Sequence, residues 1–178
     1  MILALFEHPD GVEADQPDAI LYDLAADAAR PAPARVEGAA LEWALMEGEA
    51  RGAVLAEEIV LDPGTRWLLR CDRVDFGPGG VAHRHTHPGP GIRRLLSGAI
   101  TIESGGRTET FGAGEAWFER GPDPVLATTS RDEPSAFVRV MLVPAALAGK
   151  RTIAYIDPAD ADKPKTQKAT IFCELPLP

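Results

Sequence analysis

The chain has 178 residues, 45% of them hydrophobic and 25% charged, with 27 acidic against 18 basic residues and a formal net charge of −9. That length and balance fit one globular domain with a full core, and no composition break calls for a second. The acidic surface repels phosphate backbones, so nucleic acid is not an expected partner, and no run approaches the roughly 18–20 apolar residues of a membrane helix.

The first residues, Met1 to Asp10, combine a short apolar run with no basic flank, so a signal peptide is not expected and a cytoplasmic location is. Cys71 and Cys173 lie far apart in sequence, and in that setting both are expected reduced and buried. Sixteen prolines and seventeen glycines leave little room for long helices and suit short strands joined by turns. Between Pro17 and Pro31, Asp18 to Arg30 reads as one short helix, with Ile20, Leu21 and Leu24 on a face. From Ala39 the period changes to that of a strand, with Leu41, Trp43 and Leu45 alternating with Glu42 and Ala44. Ala53 to Leu61 is a further strand candidate, closed by the turn Asp62-Pro63-Gly64.

Trp67 to Phe76 and Val81 to His87 follow as strands, each ended by a Gly/Pro cluster. Ile92 to Leu96 and Ala99 to Glu103 flank the tight turn Ser97-Gly98. Thr108 to Phe111, Ala116 to Glu119, Val125 to Thr129 and Ala136 to Val143 complete the series. Such spacing predicts an all-β sandwich or barrel, with no βαβ unit. The expected layout is a single unit with an N-terminal extension over 1–38, a barrel over 39–145 and a C-terminal extension over 146–178. Asp157 to Lys168 reads as a solvated connection and Ala169 to Leu175 as an extra strand laid on the barrel. Exposed strand edges favour a homodimer.

Three of the four histidines, His83, His85 and His87, occupy alternate positions of one strand. Straight alternation puts all three on one face, where imidazoles can clasp a cation. Of the neighbouring pair Arg93 and Arg94, only one can face inward, and counting by twos from position 91 favours Arg93. Trp43, Trp67 and Trp117 read as core, Trp117 sharing strand parity with Glu119 and so able to line a pocket. Arg70 and Arg73 read as surface.

The run Gly79, His85-Thr86-His87, position 91 and Gly98 resembles the first motif of the cupin superfamily, and Phe111-Gly112-Ala113-Gly114-Glu115-Ala116-Trp117 resembles the opening of the second. The resemblance covers roughly 66–143 and implies a double-stranded β-helix, or jelly-roll, barrel. It also implies a divalent transition metal held by His85 and His87. The motif's glutamate is replaced by Gly91, and no histidine follows His87 to serve as the late ligand. A third ligand must then be recruited: Glu119 is preferred, with His83 and Asp123 as the other candidates. An imidazole-rich set suits zinc or nickel, and iron or manganese would favour more carboxylate. Arg93 and Trp117 are the candidate substrate contacts, Arg93 as the clamp of an organic acid or as the partner of an acid such as Glu115. Two readings stand: a metal-dependent enzyme of oxygenase or isomerase type acting on an organic acid, or a non-catalytic small-molecule binding or sensing barrel without catalytic metal.

Overall fold

The computed structural model describes Met1–Pro178 as an almost purely β protein. Seven strands come before the barrel: β1 (Ile2–His8), β2 (Val12–Ala14), β3 (Ala19–Asp23), β4 (Ala28–Pro31), β5 (Ala34–Val36), β6 (Ala40–Met46) and β7 (Leu55–Glu58). Eight form it: β8 (Trp67–Phe76), β9 (Val81–Thr86), β10 (Gly91–Ser97), β11 (Ala99–Ser104), β12 (Arg107–Gly112), β13 (Ala116–Glu119), β14 (Val125–Thr129) and β15 (Ser135–Pro144). Two more, β16 (Ala154–Tyr155) and β17 (Gln167–Pro176), extend it.

The barrel strands are divided between two antiparallel sheets, ordered β13-β10-β15-β8 and β12-β11-β14-β9. That order, with β8 beside β15 and β9 beside β14, is the double Greek key of a jelly roll. β17 pairs with the outer edge of β8, and β16 with β9. Inward-facing side chains follow the period of two: Val74, Phe76, Leu95, Ile100, Ile102, Trp117, Val125, Ala127 and Phe137 fill the barrel as one cluster.

The N-terminal strands build a third layer, ordered β4-β3-β6-β1-β7. Leu3, Leu5, Ile20, Tyr22, Leu41 and Trp43 pack against Leu69, Cys71, Ile92, Val138, Val140 and Leu142 on the back of β8, β10 and β15. Trp43 is fully buried, and its indole Nε1 donates to the Ile92 carbonyl at 3.2 Å, fixing one layer to the other. Truncating such a side chain costs about 3–5 kcal/mol. The opposite face of this layer holds a small-residue cluster, including Ala14, Ala19, Ala32, Ala40 and Ala44, under the β2–β5 ribbon.

Two expectations are corrected here. Asp18 to Arg30 is not a helix but the hairpin β3–β4, turned by Asp23 Oδ1 accepting from the amides of Ala25 and Ala26. β3 lies inside its sheet, with Ile20 and Tyr22 in one core cluster and Ala19 and Leu21 in the other. A strand buried on both faces is apolar throughout, and such a run has no period to distinguish it from a helix. Ala40–Met46 and Leu55–Glu58 pair with β1 rather than opening the barrel, so the barrel's own strands begin at Trp67.

Candidate functional site

The barrel encloses a cavity of about 420 Å³. One side is apolar, with Val74, Phe76, Ile100, Ile102, Val125 and Phe137. The lining also includes Asp72, His85, His87, Glu119 and Arg139. Gly149–Ile153 and the β17 residues Gln167, Ala169 and Ile171 complete the wall. The size and the mixture of apolar wall and few polar groups suit a small organic ligand.

His85 and His87 are buried and converge, with Nε2 atoms 3.2 Å apart and rings nearly perpendicular. His85 Nδ1 lies 2.7 Å from the His83 carbonyl. A proton on that nitrogen satisfies the carbonyl and leaves the Nε2 lone pair facing inward, the usual arrangement of an imidazole ligand. Burial lowers the pKa of His85, and it lowers that of His87 well below its ordinary value, helped by the Arg139 and Arg93 charges. Both rings are therefore neutral at pH 7.

His83 does not join them. Opposite β14, Val125 pairs with His85 but Ala127 pairs with Ala82, so β9 has one residue too many between those positions. This bulge breaks the alternation and turns Ala82 and His85 to the same side. His83 is left partly exposed, with Nδ1 4.0 Å from Asp160 Oδ1. The shared face expected for all three histidines is thus limited to two.

Glu119 comes in from β13 directly opposite Gly91 on β10. Its Oε1 accepts from Trp117 Nε1 at 2.9 Å. Its Oε2 lies 2.7 Å from Arg93 Nη2 and 3.8 Å from His87 Nε2, out of line for a hydrogen bond to either. Arg93 is fully buried and faces inward behind Glu119, its pKa lowered to about 10 by burial against the opposing pull of Glu119. Its acidic partner is Glu119, while Glu115 accepts from the Gly112 amide. Arg94 faces outward and donates to Glu7 at 2.6 Å. Trp117 lines the cavity, stacked on Phe111 and edge-on to Phe137. Asp123 is exposed beside Arg120 and outside this cavity.

The strongest ion pair of the interior involves residues that sequence reasoning passed over. Arg139 Nε donates to Asp72 Oδ1 at 2.6 Å and Nη2 to Oδ2 at 3.2 Å, both residues buried. Arg139 Nη1 also reaches within 3.3 Å of His87 Nε2. A lone arginine inside the apolar run Phe137 to Val143 was the available signal, since a buried guanidinium requires a carboxylate partner. Arg70, expected at the surface, is buried and holds the C-terminal segment through Glu174 and the carbonyls of Leu147 and Lys150. Arg73 stays half-buried between Asp27 and Asp75.

Two imidazole nitrogens sharing one ion at about 2.0–2.1 Å each stand roughly 3.3 Å apart in a tetrahedral site, close to the observed 3.2 Å. Glu119 Oε2 is a buried oxygen lacking a hydrogen bond on the same side. No three His, Cys, Asp or Glu side chains stand close enough together to form a complete ligand set, because Glu119 leans toward Arg93. The spacing of the pair is compatible with one shared metal, while Glu119 as placed does not complete a ligand set.

No family model matches the chain, and no curated protein does. Among solved structures, an RmlC-like cupin from Shewanella frigidimarina matches at 17% identity and TM-score 0.39, over 43% of this chain and 67% of that one. The barrel is similar to cupins. The polyketide cyclase RemF from Streptomyces resistomycificus matches at 22% identity and TM-score 0.41, over 54% of this chain and 64% of that one. A Cupin 2 conserved barrel domain protein from Salinispora arenicola matches at 20% and 0.38, over 44% and 65%. The chain thus spans about two thirds of the length of those three proteins, and at such identities the likeness concerns the fold. The jelly-roll order of β8 to β15 stands on its own register.

Proposed function

We propose that this protein binds a small organic acid in the barrel beside a divalent metal held by His85 and His87, with Glu119 as third ligand. The observation that carries the reading is the 3.2 Å approach of the two Nε2 atoms at the edge of a 420 Å³ cavity. With its Nδ1 proton committed to the His83 carbonyl, His85 turns its Nε2 electron pair toward His87 Nε2, and a metal would draw on both nitrogens with the His87 proton on Nδ1. A metal there would supply Lewis acidity toward a carboxylate or carbonyl. Zinc or nickel suits the imidazole-rich set. Arg139 orients the acid from β15, Trp117 and Phe137 hold its apolar body, and β17 and Gly149–Ile153 border the side of the cavity nearest solvent. Isomerisation is the reaction class a redox-inert zinc would serve, and oxygenation would require a redox-active metal such as iron in the same site.

The test is metal analysis of untagged protein, followed by calorimetry with zinc and nickel. Near-stoichiometric metal in the wild type, lost from His85→Ala/His87→Ala without loss of the β spectrum, is expected. Equal metal in both proteins rejects the assignment.

A second reading is favoured by one contact: Arg139 Nη1 at 3.3 Å from His87 Nε2. A guanidinium N–H there satisfies the lone pair that a metal would use. The barrel is then a metal-free binder of small acids, and calorimetry would show carboxylate binding unaffected by chelator.

A further inference from the structure

The two cysteines are remote in sequence but adjacent in space. Cys71 lies in β8 and Cys173 in β17, and the two are direct antiparallel partners. Directly opposed residues of an antiparallel pair have Cα atoms about 4.5–5.5 Å apart and side chains on one face. That separation falls inside the roughly 4.4–6.8 Å range of disulfides. Both side chains belong to the cluster between the barrel and the N-terminal sheet, Cys71 within it and Cys173 packed against it. β17 carries a bulge here: Ile171 pairs with Asp72 and Cys173 with Cys71, so Phe172 is the extra residue.

We propose that Cys71 and Cys173 are a cross-strand dithiol that closes to an intramolecular disulfide and staples β17 to the barrel. With a small-molecule disulfide as oxidant, Cys173 Sγ, the more exposed sulfur, attacks first and releases one thiolate from the oxidant. Cys71 Sγ then attacks Cys173 Sγ, forming the protein disulfide and releasing the second small thiol. The protein loses two electrons and two protons, and the oxidant disulfide is reduced to two thiols. Burial raises the Cys173 thiol to about 11 and the Cys71 thiol well above its ordinary value, so closure is slow at neutral pH and faster in mild alkali. The staple joins residues about a hundred apart, which is where cross-linking most restricts the unfolded chain. It also ties down the strand whose Gln167, Ala169 and Ile171 line the cavity.

The experiment treats the full chain with oxidised glutathione at pH 8.5, then blocks free thiols under denaturing conditions and measures intact mass. The expected product is a monomer two mass units lighter, carrying no blocking groups, with Tm raised by roughly 5–15 °C. Amide exchange should slow across Thr170–Leu175. Cys173→Ser, at the less buried position, should keep the reduced protein's Tm and show no shift on oxidation. Two blocked thiols, a persistent glutathione adduct at Cys173, or a disulfide-linked dimer would each overturn the proposal.

Discussion

Restoring the motif glutamate at position 91 should damage the fold rather than complete a metal site. β10 passes so close to β15 at this point that a Cβ on Gly91 would lie 2.6 Å from Met141 Cβ and 2.7 Å from the Val140 carbonyl oxygen. Ordinary carbon contacts are about 3.5–4.0 Å, so the overlap is about 1 Å and one of the obstacles is backbone. Overpacking of this kind costs about 1–3 kcal/mol, and with backbone in the way Gly91→Ala belongs near the upper end, at about 2–3 kcal/mol. Gly91→Glu adds a buried carboxylate beside Glu119, for a total of about 3–5 kcal/mol or more. For a chain of this size, about 2–4 °C of Tm accompanies each kcal/mol, so the alanine variant should melt roughly 4–12 °C lower and the glutamate variant lower still. Differential scanning calorimetry with and without zinc checks this. A Gly91→Glu protein melting within about 2 °C of wild type and binding zinc more tightly would refute the packing argument.

Other outcomes follow from the same interior. Arg139→Met should cost about 3–5 kcal/mol in urea unfolding by leaving Asp72 unpaired, and Asp72→Asn combined with it should restore part of that loss. In chelator, stability should fall as pH drops below about 6.5, because the unfolded chain takes up protons that buried His85 and His87 refuse. The depressed folded pKa values mean that this contribution is full above about pH 6.5 and declines by up to about 1.4 kcal/mol per pH unit for each ring below it. An identical pH slope in a His85→Asn/His87→Asn protein would exclude these residues as its source. Glu119→Gln should weaken zinc binding about tenfold, whereas His83→Ala, on the far side of the bulge, should leave it within about twofold by calorimetry.

The barrel was legible because its strands are short, alternate cleanly and are punctuated by glycine and proline. Gly98 shows the same logic: its φ of +74° and the nearness of Pro134 and Ser135 permit no side chain in the β10–β11 turn. The N-terminal layer was harder, because β3 is buried on both faces and carries no period. Counting by twos placed His85 and His87 on one face but failed at His83, since a bulge depends on the neighbouring strand and leaves no residue signature here. Gly91 and Glu119 are separated by 28 positions in sequence, and only the β10–β13 register shows that the second lies opposite the first. Arg139 was readable in principle as a charge stranded in an apolar run, but Asp72 sits among other charges of β8, and the pairing of the two depends on the alignment of β8 with β15.

The paired charges of the barrel have a further consequence. Arg93 is matched by Glu119 and Arg139 by Asp72, so the interior is electrically closed before any guest arrives. A guest anion gains a guanidinium only by displacing a resident carboxylate, and a guest cation gains Glu119 only by releasing Arg93. Either ion alone leaves a buried charge without its counterion, which weakens its binding. A cation and an anion arriving together exchange partners with the residents, so that no buried charge is left without a counterion. Occupancy by one should therefore raise the affinity for the other, by equal factors in both directions.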